Sequence, residues 1–132
     1  MPARHGFGGL TEAIIGACIE VHRHLGPGLL ESTYEACLAH ELARRRLKLE
    51  RQKSVALGFK GLHVEHAYQL DLVVERRIVV EVKSVTALTT LHRAQLRTYL
   101  KLTGLSVGLL VNFNVPALRE AGIRRVTAPH HR

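Results

Sequence analysis

The sequence predicts an α/β protein in which two helices come first, three strands follow, and a further helix and strand end the chain. Apolar residues recur at helical spacing in 10–26 and 30–46, which predicts two amphipathic helices. Two shorter apolar runs, 65–74 and 77–84, have the length of paired strands. The nearly continuous apolar run LSVGLLVNF, 105–113, is typical of a strand that is covered on both faces.

Capping and turn residues set the ends of the predicted helices. Thr11 is a candidate N-cap of the first helix, which LGPG, 25–28, ends because a proline cannot continue a helix. Thr89 or Thr90 is expected to cap the third helix, and Gly104 is a typical residue for its C-terminal end.

The remaining segments are less regular. Residues 47–60 are expected to form an irregular strand, and GLH, 61–63, a turn. PALREAGIRRV, 116–126, is expected to hold a short turn and an edge strand. We expect one domain over residues 1–132, with a core at about 12–126 and short flexible tails at both ends.

Composition is that of an ordinary globular protein, with 46% hydrophobic and 23% charged residues. No run approaches the roughly 20 apolar residues of a membrane span, and the N-terminal MPARHGFGG lacks the apolar core of a signal peptide. Cys18 and Cys37 are far apart and form no Cys-x-x-Cys pair. We therefore expect a cytoplasmic protein without disulfides and without a membrane partner.

The chain is strongly basic, with 19 Lys and Arg residues against 11 Asp and Glu and a net charge of +8. Such a balance favours an anionic partner, of which nucleic acid is the commonest. The segments that could follow a phosphate backbone are RRRLKLERQK (44–53), IRR (123–125) and HHR (130–132). A basic surface that only aids solubility would account for the same charge.

Charged residues interrupt both strands of the hairpin YQLDLVVERRIVVEVKS, 68–84. Asp71 lies in the first strand, while Glu81 and Lys83 share one face of the second. A two-residue loop would oppose Asp71 to Val80, whereas a three-residue loop or a bulge opposes it to Glu81, with Cβ atoms about 5 Å apart. The second arrangement keeps the apolar faces together, so we expect it. Alternation then places three apolar residues on the opposite face of the first strand: Leu70, Leu72 and Val74.

Two opposed carboxylates repel each other unless a cation lies between them. A hard divalent ion such as Mg²⁺ or Mn²⁺ takes oxygen ligands and is typically held by one or two carboxylates. Lys83 would then lie beside the ion and could orient a water for hydrolysis of a phosphodiester. An ion network of Asp71, Lys83 and Glu81 on a solvated sheet face needs no metal and remains an alternative.

Ordered motifs across residues 12–126 resemble those of one protein family. GPGLLESTYEACLAHEL contains Gly28, Glu31 and Tyr34 at the spacing of the bacterial GxxExxY proteins. The resemblance continues through YQLDLVV, VVEVKS, LHRAQLRTYLKLTG and GLLVNF. The GxxExxY proteins are similar to compact members of the PD-(D/E)xK nuclease superfamily.

This resemblance implies a fold and a function. The implied fold is a restriction-endonuclease-like α/β core, with a central mixed four-stranded sheet flanked by helices in the order α-β-β-β-α-β and an extra N-terminal helix. The implied function is an Mg²⁺- or Mn²⁺-dependent nuclease that acts on nucleic acid, with DNA as the expected substrate. The alternative is a catalytically inactive nucleic-acid-binding or protein-interaction module of the same fold. We also leave a homodimer open.

The resemblance also assigns roles to site residues. It makes Asp71 and Glu81 metal ligands, with Glu31 as an additional or water-mediated ligand. Lys83 positions the attacking water. From the third helix, Gln95 and Tyr99 brace the site or touch phosphate. Helical spacing places these last two in one column with a stripe that is expected to be buried, formed by Leu91 and Leu102.

Overall fold

The computed structural model describes residues 7–128 and shows one five-stranded sheet with helices on both faces. The elements follow one another in the chain as α1 (Phe7–Leu25), α2 (Glu31–Arg44), β1 (Leu49–Phe59), β2 (Leu62–Val74), β3 (Ile78–Lys83), α3 (Thr90–Thr103), β4 (Val107–Asn112), α4 (Leu118–Ala121) and β5 (Ile123–Thr127). The strands lie in the sheet in their order along the chain, from β1 at one edge to β5 at the other.

The sheet is mixed, because β3 and β4 are parallel and all other neighbouring strands are antiparallel. The α/β class and the mixed sheet are therefore confirmed, but a four-stranded sheet is wrong, since β5 pairs with β4 as a fifth strand. The physical reason is that every residue of β4 is buried, so the backbone groups on its outer edge need partners that β5 supplies. Most of the expected flexible tails, including HHR, lie outside the described residues.

The turn between β2 and β3 has the predicted length. Val74 pairs with Ile78 and Leu72 with Val80, so three residues, 75–77, connect the strands. Continuing this register places Asp71 opposite Glu81. The three-residue loop is therefore confirmed.

Strict alternation along β2 fails at Asp71. Leu72 and Val74 belong to the apolar cluster beneath α1 and α2, as expected. Leu70 was expected on the same face, but it packs with Val73 in the cluster beneath α3. The reason is that the Asp71 carboxylate lies between the strands, where it accepts a hydrogen bond from the Val82 amide.

Capping explains where the helices begin and end. Thr89 is the N-cap of α3, with its hydroxyl accepting from the His92 amide at 3.2 Å, and Gly104 ends the helix at φ 79°, as predicted. The LGPG segment ends α1 at Leu25, also as predicted. The proposed cap at Thr11 is wrong, because α1 begins at Phe7 and Thr11 lies inside it.

The two faces of the sheet have unequal cover. α1 and α2 cover one face, where Tyr34 stacks on Phe113 with ring centroids 4.6 Å apart. α3 covers the other face through Leu96 and Leu100, and a Cβ at Gly108 would lie 2.9 Å from the Leu96 side chain. Glycine therefore lets α3 approach the sheet closely. Within residues 7–128, no helix combines the length and the hydropathy that crossing a membrane requires.

Candidate active site

Asp71 on β2 and Glu81 on β3 meet between the two strands. The Asp71 amide donates to Glu81 Oε2 at 3.0 Å, and the Val82 amide donates to Asp71 Oδ2 at 2.8 Å. Each carboxylate thus takes the place of a backbone acceptor at the point where the regular β2–β3 pairing ends, beyond Leu72 and Val80. The strand backbones themselves hold the two acids together.

The environment of this pair opposes its full ionisation. Burial, followed by the charge of Asp71, raises the pKa of Glu81 to about 7. Burial also raises the pKa of Asp71. Lys83 on the same strand as Glu81 lowers both values by its charge, but within residues 7–128 neither carboxylate forms a salt bridge. The pair therefore lacks a close compensating cation among these residues.

The free oxygens of the pair fit a hard divalent ion. Glu81 Oε1 accepts no hydrogen bond from the described part of the chain, and Asp71 Oδ1 has only a long contact of 3.5 Å with Gln52 Nε2. Two carboxylates suffice for Mg²⁺, which keeps several waters in its shell. Residues 7–128 contain no group of three His, Cys, Asp or Glu side chains that could hold a metal. The side-chain ligands available at this site are therefore the two carboxylates of Asp71 and Glu81.

Glu31 lies at the first residue of α2 and is exposed. Its Oε2 accepts a hydrogen bond from the Ser84 amide at 3.2 Å, and the Ser84 hydroxyl donates to the Leu29 carbonyl at 2.6 Å. These contacts join the start of α2 to the residue that follows Lys83. The structure does not bring Glu31 into a three-acid set with Asp71 and Glu81.

Glu35, one turn further along α2, is the acid that sequence reasoning missed. It is 7% exposed, and its Oε1 accepts from Gln52 Nε2 at 2.8 Å. The same amide nitrogen contacts Asp71, and the charge of Glu35 helps raise the pKa of both Asp71 and Glu81. One signal was available, because Glu35 follows Tyr34 directly and so lies at the edge of the buried face of α2.

The Gln52 side chain contacts both Glu35 and Asp71 because the backbone of β1 is distorted at this residue. Its φ is 50°, in the left-handed region that a non-glycine residue rarely adopts, and it lies between Arg51 and Lys53, whose partners on β2 flank Asp71. Strained backbone of this kind is often found at functional sites. The distortion aims the Gln52 amide at Glu35 and Asp71.

Of the two residues assigned from α3, Tyr99 is close enough to Asp71 and Glu81 to respond to their charges. Burial raises the pKa of Tyr99, and the charges of Glu81 and Asp71 raise it further. Its ring stacks on Tyr68 at a centroid distance of 4.5 Å. Gln95 is exposed.

The expected buried stripe of α3 is wrong. Leu91 is 74% exposed and Leu102 43% exposed, while Leu96 and Leu100 face the core. The stripe is therefore displaced around the helix from the column predicted by spacing. Tyr99 keeps contact with the sheet because it borders the true stripe.

Comparison with known proteins gives a family. Residues 9–126 match the family model described as the PD-(D/E)XK nuclease superfamily, which spans the chain from α1 to β5. A solved structure, SSO0001, is similar at 16% identity and a TM-score of 0.47, over 92% of this chain and 79% of that chain. No curated protein matches. By the extent of the family match, this chain belongs to the PD-(D/E)XK nuclease superfamily.

Proposed function

We propose that this protein is a nuclease that hydrolyses phosphodiester bonds of nucleic acid with Mg²⁺ or Mn²⁺, and that its substrate is DNA. The observation that supports this most is the pair of carboxylates on Asp71 and Glu81, fixed by strand amides and left without a salt bridge within residues 7–128. Membership of a nuclease superfamily supports the same activity.

Asp71 and Glu81 would hold the divalent ion through oxygens that the strand amides leave free. A bound divalent ion supplies charge stabilisation for the phosphate and lowers the pKa of a coordinated water. Lys83, two residues after Glu81 and on the same face of β3, orients the attacking water with its ammonium group.

The two helix acids have different roles in this proposal. Glu35 is a positioning residue, because it holds the Gln52 amide that also contacts Asp71. Glu31 has one oxygen on the Ser84 amide, and its other oxygen is left for a water-mediated contact with the ion. Tyr99 borders the acids, and the exposed Gln95 would touch a phosphate of the substrate.

Charge and motif support the finer assignments. The net charge of +8 favours a polyanionic substrate, and the basic side chains of residues 44–53 are exposed. The spacing of Gly28, Glu31 and Tyr34 supports placement among the bacterial GxxExxY proteins. Cys18 and Cys37 are both free thiols, which suits a single cytoplasmic domain.

A cleavage assay tests the proposal. The purified protein is incubated with linear, nicked and single-stranded DNA and with RNA, in Mg²⁺, in Mn²⁺ and in EDTA. We expect cleavage of DNA only with a divalent ion. Lys83→Ala should lower the rate about 10²- to 10⁴-fold, because a group that orients and activates water is lost. Lys101→Ala, at an exposed lysine of α3, is the matched control and should keep the wild-type rate.

Two results would contradict this function. Cleavage that survives EDTA would exclude the metal, and a wild type that cleaves no substrate would favour the inactive binding module instead. Calorimetric titration with Mn²⁺ separates the causes, since Asp71→Ala should lose ion binding and Lys83→Ala should keep it.

A further inference from the structure

The β1–β2 hairpin extends well beyond the rest of the sheet. β1 has 11 residues and β2 has 13, whereas β3 has 6 and pairs only with the last residues of β2. We call residues 54–68 the hairpin end. None of these fifteen residues is buried. Only its base touches the core, where Val55 and Tyr68 pack at the margin of the cluster beneath α3.

One face of the hairpin end is apolar. The cross-strand partners are Val55 with Tyr68, Leu57 with Val64, and Phe59 with Leu62. Opposed residues share a face. The register shifts at an irregularity between Val55 and Leu57, where β2 advances by four residues and β1 by two, and because both steps are even the three pairs remain on one face. Phe59 and Leu62 at the outer end are each 60% exposed. An exposed group of apolar side chains on one face of a hairpin is a candidate interaction surface.

The charge of the hairpin end argues against nucleic acid as its partner. Lys60 and Glu65 are its charged residues, so the segment is neutral in a chain of net charge +8. The ammonium of Lys60 also lies 5.5 Å from the centroid of the Phe59 ring. An arm that binds a phosphate backbone would be expected to be basic.

Neutrality favours a second copy of the chain instead. Two chains of charge +8 repel each other, and the repulsion is smallest where neutral surfaces meet. A two-stranded hairpin alone is marginally stable in water, so covering its apolar face also stabilises the hairpin. We propose that the apolar face of the hairpin end packs against the same face of a second copy, about a two-fold axis.

The size of the apolar face of the hairpin end limits the expected affinity of the dimer. A standard interface uses about 20–30 residues from each partner, and the hairpin end offers fifteen, of which one face makes contact. We therefore expect a dimer that dissociates at concentrations on the order of micromolar. This dimer requires neither metal nor catalysis, so it is independent of the proposed function.

Sedimentation equilibrium in EDTA, without nucleic acid, tests the dimer. The wild type should shift from monomer to dimer between about 1 and about 200 µM, the range that a small interface implies. The double variant Phe59→Ser with Leu62→Ser should weaken association about tenfold or more. Leu30→Ser removes a leucine that is 73% exposed outside the hairpin end, so it is the matched control and should associate as the wild type does. Circular dichroism checks that each variant is folded.

A wild type that stays monomeric, or a double variant that associates normally, would overturn the proposal. A fluorescent probe decides between the two partners, since the chain contains no Trp and Phe59→Trp would provide a single one. Its emission should shift to the blue with rising protein concentration in EDTA. A shift that occurs only after duplex DNA is added would assign the hairpin end to nucleic acid and contradict the dimer.

Discussion

Each face of the sheet contains a stacked aromatic pair, and the two pairs differ in how their hydroxyl groups are satisfied. Tyr34 and Phe113 stack at 4.6 Å, and Tyr68 and Tyr99 at 4.5 Å. The Tyr34 hydroxyl donates to the Gly26 carbonyl and accepts from the Leu29 amide at 3.1 Å. The Tyr68 hydroxyl is buried and has no hydrogen-bond partner among residues 7–128.

The surroundings of the two pairs explain the difference. The described residues place 21 buried side chains in the cluster that contains Tyr34, but 7 in the cluster beside Tyr68 and Tyr99. The first pair also fixes the segment that joins α1 to α2. The second pair lies next to Asp71 and Glu81, whose charges act on Tyr99. We conclude that the face beneath α1 and α2 holds most of the buried core, and that the smaller cluster beneath α3 borders the candidate acid pair.

Truncating one ring on each face tests this division most strongly. Tyr34→Ala should lower the free energy of unfolding by about 3–5 kcal/mol, because it empties a fully buried site and leaves backbone groups without a partner. Tyr99→Ala removes a half-buried ring and should cost less than half as much. Urea unfolding measures both values. Equal losses would show that the two faces contribute alike.

The acid pair should make stability depend on pH. Glu81 has a raised pKa in the folded state, so the folded protein binds more protons than the unfolded chain between pH 4.5 and about 7. The free energy of unfolding should therefore fall as pH rises through this interval, by on the order of 3 kcal/mol relative to Glu81→Gln. Urea unfolding at several pH values, in EDTA, measures the difference.

Magnesium provides the control for this pH dependence. At pH 7, Mg²⁺ should restore much of the lost stability in the wild type, because ligand binding stabilises the folded state. Asp71→Asn keeps an oxygen for the Val82 amide but removes one charge, so it should show a smaller pH effect and little response to Mg²⁺. Wild-type stability that rises relative to Glu81→Gln would contradict the pKa shift.

The smallest expected change in the free energy of unfolding comes from removing the hydroxyl group of Tyr34 or of Tyr68 alone. Tyr34→Phe should cost about 1–3 kcal/mol, since the Leu29 amide loses an acceptor. Tyr68→Phe should cost about 0 kcal/mol or stabilise slightly, since the hydroxyl that it removes has no partner among the described residues. Thermal unfolding in EDTA measures both. A clear loss for Tyr68→Phe would show that the hydroxyl group is satisfied in solution.

Local rules were enough to predict much of this fold. The three-residue turn before Ile78 follows from sequence because a one-residue slip would move every side chain of β3 to the other face. The cap of α3 and its end at Gly104 depend on neighbours in the chain, and the sequence predicted the end at Gly104 and narrowed the cap to Thr89 or Thr90. The juxtaposition of Asp71 with Glu81 follows from the same register.

What could not be predicted depends on side chains that leave the regular pattern. Leu70 lies on the unexpected face because the Asp71 carboxylate lies between two strands. The alternation of side chains along a strand does not predict such a position. Glu35 contacts Asp71 only through Gln52, whose left-handed backbone is not visible in the sequence. Leu91 was misplaced because helical spacing fixes which residues share a column but not which column faces the sheet.

The hydrogen bonds from strand amides to the two carboxylates have a spectroscopic consequence. The amide protons of Asp71 and Val82 point directly at Glu81 and Asp71 oxygens, so their chemical shifts depend on the ionisation of the site. Two backbone resonances can therefore follow proton uptake at the centre of the sheet in the free protein. The strands that support the site also report its charge.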